Sequence, residues 1–126
     1  MSKQLLIQLA GLHSFGFALF HLAFWKLFQW PRALSETNVA TRAVTQILNL
    51  RLIYVFAGAG AACLVFTDDL LRTPLGNALL GFMSLFWVGR TIEQFVFLRI
   101  NRPLVHILTA LFVLGALLFA LPLLSG

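Results

Sequence analysis

Four long stretches of apolar residues, each interrupted by few polar side chains, fill most of the 126-residue chain. Each stretch has about the 20 residues that a helix needs to cross the hydrocarbon core of a bilayer. The connections between them are short, which favours antiparallel neighbours. The pattern therefore predicts an all-α integral membrane protein, an antiparallel four-transmembrane-helix bundle that forms a single domain. The predicted spans are 5–29, 47–66, 75–98 and 104–123.

Helix-breaking and helix-capping residues mark the ends of these spans. The first span is expected to stop at Trp30 and Pro31, because proline disrupts a helix and tryptophan prefers the headgroup level. A further helix is expected to begin near Thr37, run along the membrane interface and enter the bilayer near Ile47. Residues 67–74 are polar and are expected to form a turn before the third span.

Composition places the chain among membrane proteins. Hydrophobic residues make up 60% and charged residues 10%, whereas soluble domains have about 45–50% and 25%. The net charge is +5, but the basic residues lie at span ends and form no recognition face, so nucleic acid is not an expected partner. The lone Cys63 cannot form an internal disulfide, and no cysteine pattern predicts a metal site.

Basic residues are distributed unequally between the two predicted sides of the membrane. One side carries five of them, and the other has Lys3 and Arg72 beside two aspartates. By the positive-inside rule the more basic loops face the cytoplasm, so both termini are expected in the periplasm of a bacterial inner membrane. The five residues of the basic side are Lys26, Arg32, Arg42, Arg99 and Arg102.

Each predicted span also carries polar side chains that hydrocarbon would reject. Ionisable groups inside a bilayer are costly and usually face a bundle interior or a cavity. We therefore expect these residues, with one tryptophan on the same face of the third span, to form a polar pocket. The candidate ligand-binding residues are His21, Asn49, Trp87, Arg90, Glu93, Gln94 and His106.

Helical periodicity predicts which side chains of the first two spans point inward. His21 shares a stripe about 80° wide with Ser14 and two alanines, and small residues in such a stripe allow close helix contact. Asn49 is also predicted to point inward. Arg51 lies about 200° from it around the helix and is expected to reach the lipid headgroups.

The third and fourth spans allow two interpretations of their polar residues. Arg90, Glu93 and Gln94 can line one wall of a binding pocket, or they can be a neutralised charge pair with a glutamine that ties helices together. His106 is expected to point inward from the fourth span. The face that it defines contains His106, Thr109, Ala110, Val113, Leu117 and Ala120.

No motif fixes a reaction, so three kinds of function remain open. The first is a helical accessory or assembly subunit that packs against its own copies or a larger complex. The second is a binding protein, or an enzyme with Glu93 or a histidine as acid or base, for a lipid, quinone or isoprenoid. The third is electron transfer by b-type haem between His21 and His106, although these lie roughly 12 Å and 5 Å from their span ends.

Overall fold

A computed structural model describes residues 2–124, and this part of the chain is entirely helical apart from its connections. Four of its helices, α1, α4, α6 and α7, are long and apolar enough to cross a membrane. The predicted all-α four-helix membrane fold is thereby confirmed. The helices are α1 (Lys3–Leu22), α2 (Phe24–Leu27), α3 (Trp30–Ala33), α4 (Val39–Val65), α5 (Thr67–Arg72), α6 (Pro74–Phe97) and α7 (Pro103–Leu124).

The chain forms two compact units. One unit is Gly11–Ala62, and the other combines the residues up to Ala10 with those from Cys63 onward. Most of α1 and α4 belongs to the first unit, whereas α5, α6 and α7 belong to the second. The single four-span domain expected from the sequence stays a prediction.

The first membrane helix ends earlier than predicted. Regular helix stops at Leu22 rather than Gln29, and the short helices α2 and α3 follow. Between them, Gln29 has a left-handed backbone with φ of 50°. Pro31 lies in the first turn of α3, where its missing N–H group would have no helical partner. This proline therefore helps to begin α3 and does not end the first membrane helix. The sequence has no proline or glycine at Leu22, where the first membrane helix ends.

Within the first unit, α1 and α4 pack in opposite directions. The Phe17 and Phe56 rings lie 6.0 Å apart. Further along α4, the backbone of Gly60 comes so close to α1 that an added Cβ would lie 2.9 Å from the carbonyl oxygen of Gly11. Ser14 is fully buried, as its stripe predicts. Small residues thus permit the close contact between the two helices.

The long helix α4 begins close to its predicted position. Asn38 precedes it, and the Asn38 Oδ1 atom accepts a 2.7 Å hydrogen bond from the backbone N–H of Thr41. This contact satisfies one of the N–H groups that lack a partner at the start of a helix. The helix then continues without interruption to Val65.

The predicted polar turn at 67–74 is wrong, because residues Thr67–Arg72 form the helix α5. Two aspartates in its first turn and Arg72 in its last turn favour a helix through the helix dipole. Thr73 then caps α6, and its Oγ1 accepts a 2.9 Å hydrogen bond from the N–H of Gly76. A Cβ at Gly76 would collide with the backbone of α5, so glycine is needed for this corner.

The helices α6 and α7 pack against each other and are joined by residues 98–102. The hydroxyl of Ser84 donates a 2.9 Å hydrogen bond to the carbonyl of Ala116. The face of α7 predicted to point inward is wrong: His106, Ala110, Val113 and Leu117 are exposed. The buried residues of α7 are Phe112, Gly115, Leu118, Phe119 and Pro122. Because α7 is apolar on all sides, its sequence gives little indication of a buried face.

Candidate functional site

The structure brings His21 and Asn49 together in the first unit. Asn49 is only 3% exposed, and its Nδ2 donates a 2.9 Å hydrogen bond to the backbone carbonyl oxygen of His21. Carbonyls in the last turn of a helix lack helical donors, and α1 ends at Leu22. Asn49 therefore stabilises the end of α1, and its predicted inward position is confirmed.

The imidazole of His21 lies among aromatic rings. Its Nδ1 is 2.8 Å from the carbonyl oxygen of Phe17, and this nitrogen donates because a carbonyl can only accept. The ring stacks on Phe24 with centroids 4.3 Å apart, and it lies 5.2 Å from the ring of Phe56. Its surroundings in this unit are thus mainly apolar, with a backbone oxygen as hydrogen-bond acceptor.

In the second unit, Gln94 connects α6 to α7. It is 1% exposed, and its Nε2 donates to the carbonyl of Val105 at 3.3 Å and to the hydroxyl of Thr109 at 3.5 Å. Its Oε1 is buried and makes no hydrogen bond within the described part of the chain. A buried polar atom without a partner costs about 1–3 kcal/mol. Gln94 therefore ties two helices together and still has one unused acceptor.

Trp87 and Arg90 share a contact with an aromatic residue that the sequence analysis missed. Trp87 is buried and stacks on Phe112, with ring centroids 5.5 Å apart. The guanidinium carbon of Arg90 lies 4.7 Å from the centroid of the same Phe112 ring. Phe112 could have been identified only from the pattern of buried residues along α7, and the face predicted to be buried in that helix was the wrong one.

Glu93 does not join this group. It is exposed, whereas Arg90 is half-buried and Gln94 is buried. Of the four residues predicted to line one wall of the third span, Glu93 is therefore the most exposed. The coupling between Arg90 and Glu93 stays a prediction, and the guanidinium of Arg90 lies over the ring of Phe112.

The predicted inward position of His106 is wrong. Its side chain is exposed, and its Nε2 donates to the Oδ1 of Asn101 at 2.7 Å. The prediction came from the positions of the polar residues around α7. His106 lies in the first turn of that helix, where a side chain can extend past the helix end instead of packing against a neighbouring helix. The hypothesis that His21 and His106 hold haem required both histidines to face inward, and His106 does not.

A pocket of about 260 Å³ lies where α6 ends and α7 begins, and we call it the α6–α7 pocket. It brings Gln94 and His106 together with Asn101 and Arg99, which the sequence analysis did not select. The Nε of Arg99 donates a 3.0 Å hydrogen bond to the carbonyl of Phe95. The residues that line the pocket are Gln94, Phe95, Leu98, Arg99, Ile100, Asn101, Val105, His106 and Thr109.

A second pocket, larger than the α6–α7 pocket, contains no predicted site residue. It has a volume of about 430 Å³ and contains Gln4, Gln8 and residues 64–69. Within residues 2–124 there is no group of three or more histidine, cysteine, aspartate or glutamate side chains that could hold a metal ion. The single pocket expected to be shared by all four spans stays a prediction.

Comparison of the chain with protein-family models, with curated proteins and with solved structures finds no match. The fold therefore defines the class by itself. The chain is a membrane-embedded all-α protein with four helices of membrane-spanning length and composition.

Proposed function

We propose that this protein binds the polar head of an amphiphilic molecule in the α6–α7 pocket. The observation that carries the proposal is Gln94, which lines this pocket and whose Oε1 is buried without a hydrogen-bond partner in the described chain. A ligand that donates to this atom would remove the cost of leaving it unsatisfied. This acceptor would therefore make the pocket prefer ligands that carry a hydrogen-bond donor.

The position of the pocket suits an amphiphile rather than a wholly polar ligand. It lies between the end of α6 at Phe97 and the start of α7 at Pro103, and the ends of membrane helices lie near the lipid headgroups. Its volume is slightly below the roughly 300–1,000 Å³ of pockets that enclose a whole small molecule. It therefore has room for a head, and a hydrocarbon tail can follow the exposed apolar side chains Phe95 and Leu98.

Lipid retention by Gln94→Leu tests this function. Protein purified in mild detergent is extracted, and its bound lipids are counted by mass spectrometry. We expect wild-type protein to retain an amphiphile and Gln94→Leu to retain about tenfold less, since one hydrogen bond contributes about a factor of ten to binding. Gln8→Leu is the matched control, because Gln8 is exposed and lies outside the α6–α7 pocket. Equal retention by all three proteins would contradict the proposal.

The proposed location is a bacterial inner membrane with both termini in the periplasm and the α6–α7 pocket on the cytoplasmic side. The support is the distribution of charge, with five basic residues on one side against two basic and two acidic residues on the other. Alkaline phosphatase fused after Asp69 should be active, and the same enzyme fused after Arg102 should be inactive. The reverse pattern would show that the orientation is inverted.

An accessory or assembly subunit is the second candidate function, and Gly58 favours it. Gly58 lies within α4 and is exposed, and a Cβ added there would meet nothing within 4 Å. Glycine inside a helix costs about 0.5–1 kcal/mol relative to alanine, and packing within the chain does not require it here. A small exposed residue suits contact with another membrane helix. A purified monomer that retains lipid would favour binding, and a larger complex would favour assembly.

A further inference from the structure

We infer that the α6–α7 pocket recognises an anionic phospholipid whose headgroup carries a hydroxyl donor beside the phosphate, as a phosphoglycerol head does. The inference rests on the proposed function and specifies its ligand. Two features of the pocket lead to it: a lining glutamine with an unused acceptor, and a positive charge without a carboxylate among the lining residues.

The acceptor requires a donor on the ligand. The amide of Gln94 is held by two long hydrogen bonds, of 3.3 Å and 3.5 Å, and the last torsion of a glutamine side chain has a broad energy minimum. A rotation about this torsion that turns Oε1 toward the pocket gives up only these two long bonds, and the new bond to the ligand offsets part of that loss. A phosphate diester alone offers no hydrogen to this atom, so the headgroup must supply the donor from another group.

The charge of the pocket selects a hydroxyl over an ammonium group as this donor. Arg99 lines the pocket, and no aspartate or glutamate is among the lining residues. An ammonium group would therefore enter a positively charged site without a counter-ion, which is unfavourable. A neutral hydroxyl avoids this repulsion. The phosphate that carries it can pair with the guanidinium of Arg99, which the hydrogen bond from its Nε to Phe95 holds near the pocket.

The size of the pocket agrees with this ligand. A volume of about 260 Å³ accommodates a phosphoglycerol group, while the acyl chains remain in the bilayer. The exposed side chains of Leu98 and Ile100 provide an apolar border at its mouth. The inference therefore specifies a lipid, because a water-soluble phosphate would leave this border without a partner.

Two lipids that differ in the hydroxyl donor provide the test. Wild-type protein in detergent is titrated with phosphatidylglycerol and with phosphatidylmethanol of the same acyl chains, and binding is measured by native mass spectrometry. Both lipids are anionic, but only the first can donate to Gln94. We expect phosphatidylglycerol to bind about tenfold more tightly, and phosphatidylethanolamine to bind more weakly than phosphatidylglycerol. Water-soluble glycerol 1-phosphate should not compete.

Two variants identify the groups that are responsible. Gln94→Met should remove the preference for phosphatidylglycerol and leave phosphatidylmethanol binding unchanged, and Arg99→Gln should weaken both lipids equally. Equal affinity of the wild-type protein for the two lipids would overturn the inference and leave the proposed function intact, as would stronger binding of phosphatidylethanolamine. Competition by glycerol 1-phosphate would overturn the assignment to a lipid. No saturable binding of any of these phospholipids would also overturn the inference, whereas the proposed function is decided separately by the extraction of wild-type and Gln94→Leu protein.

Discussion

Replacing Gly60 with alanine is expected to destabilise the protein, whereas the same change at Gly58 is expected to have no effect or to stabilise it slightly. A Cβ at Gly60 would lie 2.7 Å from a ring carbon of Phe15 and 2.9 Å from the backbone oxygen of Gly11. The ring can move, but the backbone oxygen belongs to the packed helix α1. Overpacking of this kind costs about 1–3 kcal/mol, and we expect a loss in that range for Gly60→Ala.

Gly58→Ala is a closely matched control for this prediction. It lies two residues away in the same helix and gains the same helix propensity, up to about 1 kcal/mol, while its added methyl group meets nothing within 4 Å. Thermal unfolding in detergent measures both variants against wild-type protein. If Gly60→Ala is as stable as Gly58→Ala, the close approach of α1 and α4 is absent from the protein in solution.

The sequence predicted the four long helices well because their signals are long or chemically specific. Membrane-spanning length and hydropathy extend over about 20 residues, so all four long helices were found. The start of α4 also follows from a local rule, since the side-chain oxygen of Asn38 can satisfy a free N–H group. The break at Leu22 has no such signal, and the sequence analysis extended the helix to Gln29.

The orientation of a polar side chain could be predicted only where the other residues on the same side of its helix are also buried. Asn49 shares its side of α4 with Phe56 and Gly60, and all three are buried. The face assigned to α7 depended on His106 and Thr109 within a helix that is otherwise apolar. In such a helix, packing between apolar side chains decides the buried face, and the sequence alone contains little of that information.

The residues of the α6–α7 pocket show the same limit. Gln94 was selected because it is polar within a predicted span, and it is buried. Arg99 and Asn101 lie between the predicted spans 75–98 and 104–123, in a connection where polar residues are ordinary. Their proximity to Gln94 depends on how α6 ends and α7 begins, which is a property of the tertiary structure. Sequence analysis therefore identified Gln94 as a site residue but not Arg99, which lines the same pocket.

Replacing Asn49 with aspartate is expected to cause a loss of stability at the upper end of the range expected for Gly60→Ala, or above it. The side chain keeps nearly the same size, but the Nδ2 donor that faces the carbonyl oxygen of His21 becomes an acceptor. The hydrogen bond is lost, and a carboxylate is placed at a position only 3% exposed. Burying a charge without a partner costs several kcal/mol, so we expect a loss on the order of 3 kcal/mol.

Asn38→Asp makes the same chemical change at the residue that precedes the same helix, and it serves as the control. Asn38 is exposed and uses its side-chain oxygen as an acceptor for the N–H of Thr41. Aspartate retains that acceptor and places a negative charge at the helix start, where it is favourable. Thermal unfolding near neutral pH should therefore show a loss for Asn49→Asp and none for Asn38→Asp.

At low pH the carboxyl of Asn49→Asp becomes protonated and can donate to the carbonyl of His21, so part of the lost stability should return. A loss that is equal in the two variants, or that persists unchanged at low pH, would show that the bond between Asn49 and the end of α1 does not hold these helices together.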